Sequence, residues 1–155
     1  MSTQPVPAGY HTITAQLTID GAEKAIAFYQ KAFAAEVLDK AIDPSGAKVW
    51  HAVLRIGDSN IFVNDCFPEM GGEVSRSGLW LYVSDVDAWY RRAVEAGATG
   101  TQPPADMFWG DRMAHVKDPF GQTWAMATHV KDMTPAEMKE AEEAFKAQMK
   151  AAGRG

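Results

Sequence analysis

Two histidines on predicted strands carry the most versatile chemistry in this sequence. His51 lies in VWHAVLRI and His115 lies in RMAHVKD, so 64 residues separate them. An imidazole can transfer protons near neutral pH, and it can also bind a divalent metal ion. Two imidazoles without a carboxylate make an incomplete metal site, and half-buried strands also contain histidines that only satisfy hydrogen bonds. Structural, acid–base and metal-binding roles therefore all stay open for this pair.

Composition and charge exclude several classes of function. The chain has 155 residues, a formal net charge of −5 and a pI near 5.3, with no basic run, so we expect no nucleic-acid partner. No segment has the length and apolarity of a membrane span or a secretory leader, and we expect a cytoplasmic protein. Cys66 is the only cysteine and has no base nearby in the sequence, so we expect it to be inert.

The elements that position these residues follow from apolar spacing. Helical spacing predicts one helix after Asp20, as its N-cap, to about residue 34, and another from Asp85 to Gly97. A long loop is expected at 103–110. Alternating or apolar runs predict strands at 12–19, 36–42, 49–56, 60–65, 79–83, 99–102, 112–118 and 123–130.

The second half of the chain repeats the order of predicted strands and helices of the first half. Besides the two histidines, 64 residues separate Ile19 from Val83, Gly46 from Gly110 and Gly57 from Gly121. The fold class is therefore α+β, with two tandem βαβββ modules. We expect a lead-in at 1–9, a first module at 10–66, a linker at 67–77, a second module at 78–131 and a C-terminal helix within 132–155.

Particular stretches of sequence carry a family resemblance over about residues 10–130. TIDGAEKAIAFYQKAF, YVSDVDAWYRRAVEAGA, FWGDR and DPFGQTW together resemble the glyoxalase/bleomycin-resistance/dioxygenase proteins of the vicinal oxygen chelate superfamily, and within it the PhnB-like branch. The resemblance implies curved mixed sheets, with helices on the outer faces and a ligand pocket on the concave faces. It also implies that the modules of two chains complete one another in a homodimer.

The resemblance further implies four metal-ligand positions, which here carry Thr14, Ile61, Gly78 and Ala125. Metal-dependent members have His, Gln or Glu at these places. Ile, Gly and Ala side chains cannot bind a divalent cation, and one Thr hydroxyl is a poor ligand. We therefore expect no metal and no other cofactor.

Strand alternation then predicts which side chains line the pocket. If Thr14 and Gly78 face inward, every second residue of their strands does so too. On the third strand of the first module, Trp50, Ala52, Leu54 and Ile56 are expected to face the helix. The predicted ligand-binding residues are Gln16, Thr18, His51, Arg55, Trp80, Tyr82, Trp109, Met113 and His115. Core packing remains the alternative for Trp80 and Tyr82, and Asp111 is expected to hold the shape of the turn after Trp109.

The C-terminal segment predicts a helix with a capping box of Thr134 and Glu137. Its stripe of Met138, Ala141, Phe145 and Met149 is expected to dock on this domain or on a dimer mate, with a binding helix for another partner as the alternative.

Three functions fit these observations. The leading one is a metal-independent protein that binds a small molecule, such as a drug or a metabolite. The alternatives are a divalent-metal lyase or isomerase of the glyoxalase type and a cofactor-free enzyme that uses a histidine as general acid–base.

Overall fold

The computed structural model describes residues 3–153, which form two four-stranded mixed sheets and three α-helices. The first sheet has the order β1-β4-β3-β2, with β1 at Gln16–Ile19, β2 at Glu36–Ile42, β3 at Val49–Ile56 and β4 at Ser59–Asp65. The second has the order β5-β8-β7-β6, with β5 at Gly78–Tyr82, β6 at Thr99–Asp106, β7 at Asp111–Lys117 and β8 at Thr123–His129. The repeated order confirms the α+β fold of two tandem modules.

Two of the helices, α1 and α2, lie on one face of the sheets and build a core that spans both modules. α1 is Ala22–Phe33, α2 is Val86–Ala96, and the two pack against one another. Phe33 contacts Trp124 of the second sheet at 4.6 Å between ring centroids. The Tyr29 hydroxyl donates a 2.7 Å hydrogen bond to Asp118, which lies after β7. Aromatic packing and this buried hydrogen bond therefore join the modules.

The termini of the helices confirm two of the predicted caps and correct a third. Asp85 accepts from the Ala88 amide, and Thr134 and Glu137 form the predicted capping box at the start of α3, Pro135–Ala151. Asp20 caps nothing: the N-cap of α1 is Gly21, and the buried Asp65 accepts from the amides of Gly21 and Ala22 at 3.1 and 3.0 Å. A carboxylate from a neighbouring strand satisfies the helix terminus without any local sequence signal.

Two strand predictions also need correction. The first strand begins at Gln16 and not at residue 12, because residues 3–15 form an irregular segment with a turn. β6 continues to Asp106 through the segment expected to be a loop. Two prolines are tolerated there because β6 is an edge strand that pairs only with β7. No helix within the described residues is long and apolar enough to cross a membrane.

Candidate ligand-binding site

The faces of the sheets that lie away from the helices hold the exposed aromatic residues. On β5, Leu79 and Leu81 pack against the core, whereas Trp80 and Tyr82 are 46% and 66% exposed on the opposite, concave face. The rings of these two residues lie 6.0 Å apart. The alternation predicted for β5 therefore places this pair where a ligand can reach it.

The strand register corrects the equivalence of the two histidines. Gln16 is aligned with Phe62 and Val53 across the first sheet, whereas Trp80 is aligned with Ala125 and His115 across the second. Gln16 and Trp80 are equivalent, so His115 corresponds to Val53 and not to His51. The offset of 64 residues falls by one between the first and fourth strands, because Gln16 to Phe62 is 62 − 16 = 46 and Trp80 to Ala125 is 125 − 80 = 45. It falls by one more in the hairpin, because Val53 to Phe62 is 62 − 53 = 9 and His115 to Ala125 is 125 − 115 = 10.

The same register corrects the orientation expected for Ile61. Ile61 pairs with Leu54, and both belong to the buried core beneath the helices. The concave position is therefore Phe62, whose ring carries no metal ligand either. Ala125 lies beside Trp80 on the concave side as expected. Among the described residues, no group of three or more His, Cys, Asp or Glu side chains is arranged to hold a metal ion.

Trp50 departs from the prediction that it faces the helix. The pairing of β2 with β3 moves from Ala41–His51 to Ile42–Val49, which makes Trp50 the extra residue of a β-bulge. Trp50 is 47% exposed, and its ring packs against that of Phe67 at 5.0 Å between centroids. The bulge interrupts the alternation on which the sequence argument rested.

The predicted ligand-binding residues do not form a single pocket in one chain. Trp80 and Tyr82 line a cavity of about 440 Å³, His51 lines one of about 490 Å³, and Gln16 and Thr18 line one of about 280 Å³. Of the remaining residues, Arg55 forms an exposed ion pair with Glu36, Met113 is buried beside Ala127, and His115 Nδ1 lies 3.2 Å from Gln102 Oε1. Trp109 is held by Asp111.

Asp111 is the centre of a polar network that the sequence reading treated as a structural turn. Its side chain is buried, at 2% exposure for the residue, on the first position of β7. Oδ2 accepts hydrogen bonds from the Tyr82 hydroxyl at 3.1 Å and from Trp109 Nε1 at 2.9 Å. The carboxylate therefore fixes the orientation of two aromatic side chains of the predicted site.

His129, which the sequence analysis did not single out, completes this network. Its Nδ1 lies 2.8 Å from Asp111 Oδ1, and its Nε2 lies 2.8 Å from Asp132 Oδ1. Both partners are acceptors, so both ring nitrogens donate, as only the protonated imidazole can. Strand alternation could have found His129, because it shares the concave parity of Ala125 and Ala127 on β8.

The hydrogen bonds of the network shift the pKa values of His129, Asp111 and Tyr82. Hydrogen bonds to Asp132 and then to Asp111 raise the pKa of His129. Burial alone would raise the pKa of Asp111, but the hydrogen bonds from His129, Trp109 and Tyr82 outweigh it and lower that pKa. The bond to Asp111 raises the pKa of Tyr82. These shifts favour the deprotonated form of Asp111, the protonated form of His129 and the neutral form of Tyr82.

His129 is expected to make the stability of the fold depend on pH. A histidine whose pKa is raised in the folded state stabilises fully below the unfolded value of about 6.5, and the stabilisation is lost as the pH rises through the folded value. Thermal melting of the wild type and of His129→Gln should therefore differ most near pH 5.5 and converge near pH 9. A difference that is equal at both pH values would contradict the assignment of a charged His129.

A match to a family model identifies the chain. The model of the glyoxalase/bleomycin resistance protein/dioxygenase superfamily matches residues 11–126. This protein belongs to that superfamily. The match runs from before β1 into β8 and includes α1 and α2, as the resemblance of individual motifs had indicated.

Similar proteins extend this finding to whole chains. The proteins Rv0887c of Mycobacterium tuberculosis and Mb0911c of Mycobacterium bovis, both described as uncharacterized, are 38% identical to this chain over 138 residues. These matches cover 83% of this chain and 81% and 90%, respectively, of the relatives. The identity shows a shared family and carries no activity with it.

Solved structures with the same fold include TioX from Micromonospora sp. ML1, with a TM-score of 0.64 and 25% identity. The similarity covers 78% of this chain and 100% of TioX. A superfamily member from Sphaerobacter thermophilus has a TM-score of 0.60 and 25% identity, with 77% of this chain and 97% of that chain covered. The tandem-module architecture is therefore shared with experimentally determined structures.

Proposed function

We propose that this protein binds a flat, positively charged small molecule on the concave face of its second module, and that binding needs no metal. The observation that carries the proposal is the exposed pair of Trp80 and Tyr82 beside the fixed carboxylate of Asp111. Rings presented on a concave surface with a few oriented polar groups are typical of small-molecule sites. The neighbouring Leu79 and Leu81 already supply the contact with the core, so the two rings are not required for it.

The cavity that Trp80 and Tyr82 line together with the β3–β4 turn favours a cationic ligand. Asp58 belongs to the lining of the cavity of about 440 Å³ that contains Trp80 and Tyr82, and the described lining residues include no Lys or Arg. The faces of aromatic rings attract cations through their quadrupoles. The Tyr82 proton is donated to Asp111, so the phenol oxygen presents its lone pairs as acceptors for an N–H donor.

The proposal of metal independence rests on the donor set. The four positions implied by the family resemblance carry Thr14, Phe62, Gly78 and Ala125 once the register of β4 is corrected. Among these four side chains, only that of Thr14 has an oxygen atom. One neutral hydroxyl does not replace the water ligands that a divalent ion loses when it binds. A lyase or isomerase of the glyoxalase type would have to recruit ligands from elsewhere.

Replacing Trp80 by alanine is expected to weaken binding of 2-naphthylmethylammonium about three- to tenfold, because the stacking and cation–π contacts are lost. Isothermal titration calorimetry measures the affinity. Trp50→Ala is the matched control, because Trp50 is equally exposed, at 47% against 46%, and lies outside this cavity. Equal losses in the two variants, or none in Trp80→Ala, would sink the proposal.

We also propose a homodimer in which the concave faces are completed by the second chain. Two exposed surfaces support the dimer. The first is the pair of rings on β5, and the second is α3, in which none of the 17 residues is buried and Phe145 is 42% exposed. Such apolar surface is typical of an interaction face. Light scattering should give twice the chain mass of 16.9 kDa at micromolar concentration, whereas the monomer mass would refute the dimer.

Several finer assignments stand as proposals with this function. They are membership of the PhnB-like branch, a cytoplasmic location, the absence of a nucleic-acid partner, and the boundaries of the two modules at 10–66 and 78–131. The negative net charge supports the absence of a nucleic-acid partner, the repeated sheet order supports the two modules, the motifs FWGDR and DPFGQTW support the branch, and the single cysteine suits a reducing compartment.

A further inference from the structure

The C-terminal helix α3 lies outside the part of the chain that the superfamily shares. The match to the family model ends at residue 126, and the similarity to TioX covers 100% of TioX but 78% of this chain. α3 occupies Pro135–Ala151, and none of its 17 described residues is buried. Because helices in proteins owe most of their stability to the packing of an apolar face, the contact that stabilises α3 has to be sought beyond its own module.

α3 faces its own module with a side of small residues. Phe145 packs against Phe108 of the β6–β7 turn at 4.9 Å between ring centroids, and Phe108 packs against Trp109 at 5.1 Å. Beside these rings, the turn and the helix residues Ala141 and Ala144 border an open cavity of about 450 Å³. The row of rings joins α3 to Trp109, one of the predicted ligand-binding residues.

A stripe of apolar side chains on α3 is bordered by a pair of opposite charges. The stripe consists of Met138, Ala141, Phe145 and Met149. Glu142 and Lys146 lie along one edge of it and form an ion pair one helical turn apart. All four glutamates of α3 lie in its first half, and two of its three lysines lie in its second half. The sign of the charge therefore reverses from one end of the helix to the other.

From this arrangement we infer that α3 packs antiparallel on the α3 helix of a second copy of the chain. The inference rests on the homodimer proposed above and names a contact within it. In the antiparallel orientation the large Phe145 lies over the small Ala141 of the second copy. Along the edge, Glu142 comes opposite Lys146 of the second copy, and the contact occurs twice because a two-fold interface uses the same patch on both chains.

The same residues disfavour the other arrangements. In a parallel pair, Glu142 would face Glu142 and Lys146 would face Lys146, and the dipoles of the two helices would point the same way. Two Phe145 rings would also meet one another, while two Ala141 side chains would leave a gap. A second copy is favoured over a different protein because the stripe and its charges complement themselves. The row of rings to Trp109 also places α3 beside the concave face that the second copy is proposed to complete.

Charge reversal on separate chains tests this pairing. Glu142→Lys puts two lysines at the edge of the stripe, and Lys146→Glu puts two glutamates there. Each variant alone should dimerise about tenfold more weakly than the wild type in sedimentation equilibrium of the full chain, because like charges face one another. An equimolar mixture of the two should return to within about threefold of the wild-type dissociation constant. Neither variant can form the Glu142–Lys146 pair within one chain, so the recovery can arise only between chains.

Two sets of controls separate this contact from general effects. Glu23→Lys and Lys40→Glu break an exposed ion pair between α1 and β2 and should leave dimerisation unchanged. Phe145→Ala should weaken the dimer about tenfold while the melting temperature is kept, whereas Val94→Ala, at a helix residue of similar exposure (40% against 42%), should not.

The outcomes distinguish this contact from the homodimer itself. A wild-type chain that is monomeric would refute both. A wild-type dimer whose dissociation constant is unchanged in the single reversals, or reversals that do not recover when mixed, would overturn the α3 pairing and leave a dimer through the concave faces standing.

Discussion

Replacing Asp118 by alanine is expected to lower the free energy of unfolding by about 3–5 kcal/mol, the largest effect that we predict for a polar residue. Asp118 is 4% exposed, and its Oδ2 accepts from the Tyr29 hydroxyl at 2.7 Å and from Trp124 Nε1 at 2.9 Å. Its Oδ1 accepts from the amides of Phe120 and Gln122 at 2.8 and 3.0 Å. Alanine would leave these buried donors without an acceptor between the two modules.

Two further variants sharpen this test, which urea unfolding followed by circular dichroism can measure. Asp118→Asn keeps one acceptor oxygen but turns an amide donor toward existing donors. Its loss of unfolding free energy should therefore lie between those of Asp118→Ala and of the control. Burial and the charge of Asp118 both raise the pKa of Tyr29, which keeps that phenol a donor at any pH used for the test. Asp20→Ala is the control, because the exposed Asp20 caps no helix. A loss in Asp118→Ala as small as that of Asp20→Ala would contradict the assigned network.

Replacing Asp111 by alanine is expected to weaken binding of 2-naphthylmethylammonium about tenfold. This loss should exceed the one caused by removing the Tyr82 ring or the Trp109 ring alone. The substitution removes the negative charge closest to Tyr82 and releases both Tyr82 and Trp109 from their acceptor. It also leaves His129 with Asp132 as its only carboxylate partner. We expect the free energy of unfolding to fall by about 2 kcal/mol as well, because buried donors lose their partner.

Asp111→Asn separates the contribution of charge from that of position. The asparagine oxygen can still accept from Tyr82 and Trp109, whereas the full charge is absent. If the charge attracts the ligand, Asp111→Asn should lose most of the affinity for the cationic probe while it keeps most of the stability. Calorimetry with 2-naphthoate provides the comparison, because an anion gains when the carboxylate is removed. An affinity for the cation that is unchanged in both variants would show that Asp111 has no part in ligand binding.

The sequence predicted the fold well because periodicity and repetition are local and redundant signals. β3, β2 and the two helices between the sheets lie within one or two residues of their predicted bounds. Errors arose where a distant residue decides the local structure. Asp65 caps α1 from another strand, and pairing at a sheet edge lets β6 continue through Pro103 and Pro104.

The candidate site was predicted less completely. Strand alternation predicts which face of the sheet a residue lies on, but it does not predict where a β-bulge occurs or which other segment packs on that face. The alternation of β5 placed Trp80 and Tyr82 on the concave face, as the structure has them. The bulge at Trp50 interrupted the alternation of β3, and the different registers of the two sheets broke the constant offset that had linked His51 with His115. Alternation would also have placed His129 on the concave face, but only the tertiary structure shows that Asp111 joins His129 to Tyr82 and Trp109.

The most direct test of the central claim is chemical-shift mapping of 2-naphthylmethylammonium on chelator-treated protein, with the Trp80 indole N–H as reporter. We predict that this resonance and the amides of Tyr82 and Asp111 shift, and that added Zn²⁺, Ni²⁺ or Mn²⁺ leaves the affinity unchanged. Binding that appears only after one of these metals is restored, or shifts that avoid the second module, would contradict a metal-independent ligand site on this face.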